Sequence, residues 1–129
     1  MKILIFSNSI WNILNFRYPL IREISKKNQV IVYCNKKKNF NIDKKNKSKL
    51  FKIKNINYSS KSQGIYDNAV LLYRLFLIIK KEKPNMILSF TLKPNLYCGF
   101  LSYIFKYSFI PTLSGLGTAY NKGGLFFFL

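Results

Sequence analysis

Three short stretches carry the side chains best suited to meet a ligand. The first, Ser7-Asn8-Ser9-Ile10-Trp11-Asn12-Ile13-Leu14-Asn15-Phe16-Arg17, follows an apolar run and offers three amides, an indole and a guanidinium. Amides present donors and acceptors at fixed geometry, an aromatic face stacks on a sugar ring, and Arg pairs with phosphate or carboxylate. The same residues also fit a plainer role, with Trp11 and Phe16 packing the loop down and the Asn side chains capping. The second stretch, Ser89-Phe90-Thr91-Leu92-Lys93-Pro94-Asn95, sets a hydroxyl and a cation just before an expected helix N-terminus. Such termini attract anions, although Thr91 equally suits a helix cap. In the third, Gly115 and Gly117 bracket Leu116 ahead of Thr118. Glycines there let the backbone turn sharply or approach a ligand closely.

Several chemistries are excluded by what is missing. The chain has no His, and its two Cys, Cys34 and Cys98, lie far apart in sequence. A His-ligated zinc site, a Ser-His-Asp triad and a Cys-His nucleophile pair therefore cannot be assembled within it. The first loop holds no Gly, so it matches neither a dinucleotide fingerprint nor a phosphate-gripping P-loop. The acidic residues Glu23, Asp43, Asp67 and Glu82 do not cluster at strand ends, as a phospho-acceptor site would require. Two apparently unpaired Cys point to a reducing compartment.

The elements that must position these loops read as follows. Lys2–Phe6 is a short buried strand. Arg17–Lys27 is a helix with Pro19 in its first turn, Leu20, Ile21 and Ile24 inward, and Asn28 as a left-handed stop. Gln29–Cys34 is a β-branched strand, the Lys-rich stretch 35–49 is a solvated loop, and Leu50–Asn57 is a third strand. Tyr66–Lys83 is the longest helical pattern, with Ala69, Leu72, Phe76 and Ile79 as its inner stripe and Leu71, Leu75 and Ile78 widening it. A strand Asn85–Phe90, an aromatic-rich helix Pro94–Tyr107 and a strand Phe109–Leu113 complete the order β-α-β-β-α-β-α-β. Uninterrupted apolar strands alternating with helices predict an α/β fold, a mostly parallel sheet covered on both faces. Ligands in such sheets bind outside the carboxyl ends of the strands. That is where the three loops fall.

With 129 residues the chain has the size of one domain. Its 22 Lys+Arg against 4 Asp+Glu give a net charge of +18. Lys, Asn, Ile, Phe and Tyr together make up 70 of the 129 residues, and all five have A/T-rich codons, so gene base composition is a sufficient source for much of this charge. Whatever its origin, the surface is attracted to phosphates on a nucleic acid or an anionic membrane. No signal-peptide core and no spanning apolar run is present in the sequence. A cytoplasmic protein with membrane-surface contact is expected.

Taken together, the stretches at 7–17, 83–97 (Lys-Pro-Asn-Met-Ile-Leu-Ser-Phe-Thr-Leu-Lys-Pro-Asn-Leu-Tyr) and 114–120 (Ser-Gly-Leu-Gly-Thr-Ala-Tyr) resemble the N-terminal half of family 4 glycosyltransferases. The nearest subgroup builds capsular polysaccharide, O-antigen and glycan-lipid precursors. The similarity follows the same order and spacing along essentially the whole chain, the Lys-rich stretch apart. It implies the Rossmann-like N-terminal half of a GT-B fold, in which two such domains face across a cleft. The implied reaction is a hexosyltransferase-type, anomer-retaining transfer from a nucleotide-sugar to a lipid-linked or polysaccharide acceptor, with no metal and no further cofactor. By the same resemblance Asn8, Trp11, Asn12, Asn15 and Arg17 line the acceptor side, Thr91, Lys93 and Asn95 sit at the cleft, and Gly115, Gly117 and Thr118 approach the donor phosphates or the transferring sugar. No catalytic residue is assigned, since many relatives carry a His in this domain and this chain has none.

The implied partners are a lipid-linked glycan acceptor at the inner face of the cell membrane, the anionic membrane surface itself, and a C-terminal nucleotide-sugar-binding domain that lies outside these 129 residues. Residues 1–129 are thus read as one acceptor-side domain, from a truncated, frameshifted or split gene, not active alone. Composition leaves two alternatives. One is a basic nucleic-acid-binding module, although no nucleic-acid-binding motif is present and no specific nucleic acid is expected. The other is a non-catalytic peripheral membrane protein using residues 69–79 and 96–107 as its contact faces.

Overall fold

Apolar strands flanked by helical patterns need cover on both faces, and the computed structural model shows it; the structure describes residues 1–35, 50–57 and 64–113. Five strands, β1 (Lys2–Ser7), β2 (Gln29–Cys34), β3 (Phe51–Asn55), β4 (Met86–Ser89) and β5 (Ser108–Pro111), form one sheet in the order β3-β2-β1-β4-β5. Every pairing is parallel. Four helices pack on it: α1 (Ile10–Asn12), α2 (Tyr18–Ser25), α3 (Ile65–Glu82) and α4 (Leu92–Phe105), with a π-helical turn, Ile13–Arg17, joining α1 to α2. The fold is α/β and Rossmann-like.

Alternation along each strand divides the core in two. Ile3, Ile5, Val30, Val32, Cys34 and Leu88 point to the α1–α2 side. Leu4, Phe6, Ile31, Tyr33 and Ile87 point to the α3–α4 side, against Leu71, Leu75, Ile79, Cys98 and Leu101. Each large side chain sealed this way contributes about 1.5–3 kcal/mol of hydrophobic stabilisation. At Gly99 the α4 backbone comes close to β5, and an added Cβ would lie 3.2 Å from the Phe109 ring.

Several local expectations are corrected. The stretch read as a loop up to Phe16 is helical from Ile10 onward. The Ser9 hydroxyl accepts the Asn12 amide at 3.3 Å, which caps the new terminus, and Ile10 and Ile13 bury one turn apart. In α2, Ile21 is buried but Leu20 is exposed. Asn28 is not left-handed, because the only described non-glycine residues with positive φ are Lys83 and Lys106. Its side-chain amide instead donates to the Ile24 carbonyl at 3.0 Å and serves that helix end directly. In α3 the buried face is Leu71, Leu75, Ile79 and Glu82, with Leu72, Phe76 and Ile78 half-buried and Ala69 exposed. Lys83 and Lys106 then end α3 and α4 in the left-handed region, at φ 47° and φ 51°.

Glu82 is buried at the end of α3 and gathers three partners. Lys54 Nζ donates to it at 2.6 Å, Lys2 Nζ at 3.0 Å and the Tyr33 hydroxyl at 3.0 Å. The Lys54 bond is the main reason its carboxyl is lowered to about 2, with the Lys2 and Tyr33 bonds adding to it against the opposing effect of burial. This cluster ties the start of β1 to the ends of β2, β3 and α3, across three of the five strands.

Candidate functional site

The chain runs from β1 outward through β2 to β3, then returns past β1 to lay down β4 and β5. β1 and β4 are therefore neighbours from which the chain departs in opposite directions. That reversal opens a crevice beyond their carboxyl ends. The loops after β1 and β4, two of the three singled out in the sequence, flank it. The Phe90 amide donates to the Phe6 carbonyl at 3.0 Å and the Ile10 amide to the Asn35 carbonyl at 3.2 Å. The two loops are thereby sewn to the strand ends on either side of them.

On the β1 side, Asn12 Nδ2 donates to Asn8 Oδ1 at 2.7 Å, so these two half-buried amides act as one unit. Asn15 is exposed and donates to the Trp11 carbonyl at 2.8 Å, a bond within the helical run. Trp11, 54 % exposed, meets Phe16 edge-on with ring centroids 5.2 Å apart. The pair presents aromatic surface outward. The π turn adds a residue to this part of the helix, a distortion common at functional sites. Across it Ile13 and Ile21 both stay buried, while the Arg17 guanidinium carbon reaches 4.8 Å from the centre of the Phe90 ring. That cation–π contact is worth about 0.5–2 kcal/mol and clasps the first loop to the second.

On the β4 side, Thr91 occupies the N-cap position of α4 with extended backbone. Lys93 is half-buried in the first turn, where there is no acidic residue. A cation beside the positive end of a helix favours an anion nearby. Asn95 is engaged with the fold: it accepts the Ser89 hydroxyl and donates to the Thr112 carbonyl at 3.1 Å, joining the ends of β4 and β5. Gly115, Gly117 and Thr118 lie outside the described residues.

One polar group here was not anticipated. Ser7, at the end of β1, is 1 % exposed, and its hydroxyl has no hydrogen-bond partner among the described residues. It pairs in register with Cys34 and shares the face of Ile3 and Ile5, directly below the crevice. A buried hydroxyl left unsatisfied costs about 1–3 kcal/mol. The sequence signal was its parity with Ile3 and Ile5, which makes it the last inward residue of the strand rather than the first of a loop. Among the described residues no three His, Cys, Asp or Glu side chains come close enough to hold a metal ion. Cys98 is a fully buried core residue, and that burial pushes its thiol well above the usual range, which disfavours the thiolate.

A second concavity, of about 340 Å³, lies at the β3 edge of the sheet, lined by Asn55, Ile56, Asn57, Arg74, Leu77 and Ile78. The Arg74 guanidinium donates to the Asn57 carbonyl there. None of the candidate site residues named from the sequence lines it.

No protein-family profile matches the sequence. No curated protein matches it either. Among solved structures the chain is similar to the UDP-GlcNAc 2-epimerase of Methanocaldococcus jannaschii, with a TM-score of 0.58 and 17 % identity. The match covers 86 % of this chain and 31 % of that one. The chain thus spans less than a third of that enzyme's length in the aligned region, and the shared feature is the Rossmann-like α/β fold.

Proposed function

We propose that this chain is the acceptor-binding half of a GT-B-type glycosyltransferase, whose nucleotide-sugar donor is held mainly by a separate C-terminal domain. The observation that carries the reading is the clasp at the β1/β4 reversal. Arg17 over Phe90 joins two loops that hold paired amides, an outward aromatic pair, a lysine at a helix N-terminus and a buried hydroxyl with no partner among the described residues. Amides and a hydroxyl suit sugar hydroxyls, aromatic faces suit pyranose rings, and Arg17 with Lys93 suits a pyrophosphate link. A UDP-sugar enzyme as structural neighbour is consistent with this reading. The acceptor is a polyprenyl-pyrophosphate-linked sugar. In this reading Asn8, Asn12, Arg17, Thr91 and Lys93 contact it, Trp11 stacks on it, and Asn15 and Asn95 hold the walls.

Transition-state charge on a departing nucleotide diphosphate requires preorganised donors, and the donor-side domain supplies most of them. The chain alone is therefore expected to show no sugar transfer and to regain it when mixed with a cognate C-terminal half. Binding is testable without turnover, by calorimetric titration with a short-chain polyprenyl-pyrophosphate N-acetylhexosamine. Arg17→Ala is expected to weaken binding at least about tenfold, from the loss of a charge-assisted contact. Robust transfer by the isolated chain, or unchanged acceptor affinity in folded Arg17→Ala, overturns the proposal.

A further inference from the structure

The cavity at the β3 edge is built by two neighbours that the topology brings together. β3 is an edge strand, so past its end the chain is covered by α3 and has no described strand beyond it. The Ile56 amide donates to the Cys34 carbonyl at 3.1 Å, which holds this part of the chain at the end of β2, and Ile56 is buried there. On α3 the buried face is Leu71, Leu75 and Ile79. Arg74, Leu77 and Ile78 stand at i, i+3 and i+4 and form one patch on the flank of that face. The patch and residues 55–57 bound about 340 Å³, a volume at the small end of the range for organic ligands. β2 stands between this cavity and the crevice at β1 and β4.

The lining suits an anion with an apolar body. Ile56, Leu77 and Ile78 supply aliphatic surface, and Leu77 is 44 % exposed. The polar groups are mostly donors. Asn57 Oδ1 accepts the Asn55 side-chain amide at 2.6 Å, and the Asn57 carbonyl accepts the Arg74 guanidinium. Both Asn57 oxygens are thereby engaged, and its side-chain N–H groups are left to donate. Arg74 is exposed, and its one hydrogen bond to a described residue uses one of its five N–H groups. No described carboxylate lines the cavity. Asp67 and Glu82, the acidic residues of α3, lie about two turns away on either side of Arg74. Glu82 is moreover already bonded to Lys2, Lys54 and Tyr33. A carboxylate is an acceptor-only group that matches the planar fork of Arg in a bidentate pair. With one cation in the lining, a single negative charge balances the site, whereas a phosphate ester carries about 1.5–2. A bare ion would leave Ile56, Leu77 and Ile78 unused, and a hydrocarbon body joined to the carboxylate covers them. We propose that the β3-edge cavity is a binding site for a small monocarboxylate with an apolar body. The inference does not depend on the carbohydrate reading, which concerns the crevice on the other side of β2.

The test is a two-dimensional amide NMR titration of the full chain with three probes: 3-phenylpropionate, its neutral amide 3-phenylpropionamide, and inorganic phosphate. 3-Phenylpropionate is expected to give saturable shifts centred on Ile56, Asn57, Arg74 and Leu77. The amide keeps the body and loses the charge, phosphate keeps charge and loses the body, and each is expected to bind at least roughly tenfold more weakly. Arg74→Ala is expected to weaken 3-phenylpropionate binding at least roughly tenfold. Because Arg74 also holds the Asn57 carbonyl, a second variant leaves that bond in place. Leu77→Glu sets a like charge in the lining and is expected to weaken the acid at least roughly tenfold, with the amide spectrum away from the cavity unchanged. No saturable shifts, shifts spread over lysines elsewhere, equal affinity for the neutral amide or for phosphate, or unchanged affinity in either folded variant each overturns the proposal.

Discussion

Ser7 and Glu82 are both buried and polar, yet their surroundings are opposite. Glu82 has a donor from each of Lys2, Lys54 and Tyr33, whereas the Ser7 hydroxyl has no partner among the described residues. Removing the Ser7 oxygen should therefore relieve the fold and impair the site. Ser7→Ala is expected to raise unfolding stability by about 1 kcal/mol, read from urea melts, while weakening acceptor binding. A loss of stability instead would mean that the hydroxyl is already satisfied in the free protein. For Glu82 the direction is reversed. Glu82→Gln should cost about 2–3 kcal/mol, below the full cost of breaking a deeply buried pair because both lysines keep contact with water. The carboxyl lies at about 2 in the fold against an ordinary value of 4.5. Between those values the unfolded chain binds the proton and the native one does not. The stabilisation is thus complete above about pH 4.5 and fades as pH falls through about 2. It amounts to about 3 kcal/mol by linkage. Urea midpoints measured across that window should slope upward with pH in the unmodified chain and flatten in Glu82→Gln.

At the level of elements, the run Ile10–Ser25 depends on its start. Ser9→Ala removes the cap on the Asn12 amide and is expected to cost about 1 kcal/mol, with amide exchange accelerating first at residues 10–13. The start was hard to read because Asn8, Asn12 and Asn15 disfavour helix by intrinsic preference. Here Asn12 bonds Asn8 and Asn15 bonds the Trp11 carbonyl, and burial of Ile10 and Ile13 outweighs the preference. The strands were legible for the opposite reason: Ile3-Leu4-Ile5-Phe6 and Val30-Ile31-Val32 are continuous, apolar and largely branched at Cβ, and a parallel sheet is the structure that buries both sides of such runs. In α3 the existence of the helix was plain but its orientation was not. With Leu71, Leu72, Leu75, Phe76, Ile78 and Ile79 all apolar, periodicity does not single out one face. The buried position of Glu82 depends on Lys2 and Lys54, distant in sequence and brought together only by the sheet order.

Across the whole molecule, the order β3-β2-β1-β4-β5 is what turns separate loops into one crevice. The strand succession made that location foreseeable, since chain reversal leaves a gap beyond the strand ends whatever the side chains are. The contact that joins the two flanking loops, Arg17 on Phe90, was not foreseeable. It joins residues far apart in sequence, and Arg17 ends a π turn that no spacing pattern announces. The molecule thus carries a crevice at the carboxyl edge of the sheet and an exposed apolar stripe along α4. The deciding measurement is a two-dimensional amide NMR titration of the full chain with a short-chain polyprenyl-pyrophosphate N-acetylhexosamine. The crevice reading predicts shifts concentrated at Asn8, Asn12, Arg17, Phe90 and Thr91 that vanish in Arg17→Ala. Shifts confined to Asn57, Arg74 and Leu77, or none at all, would contradict it.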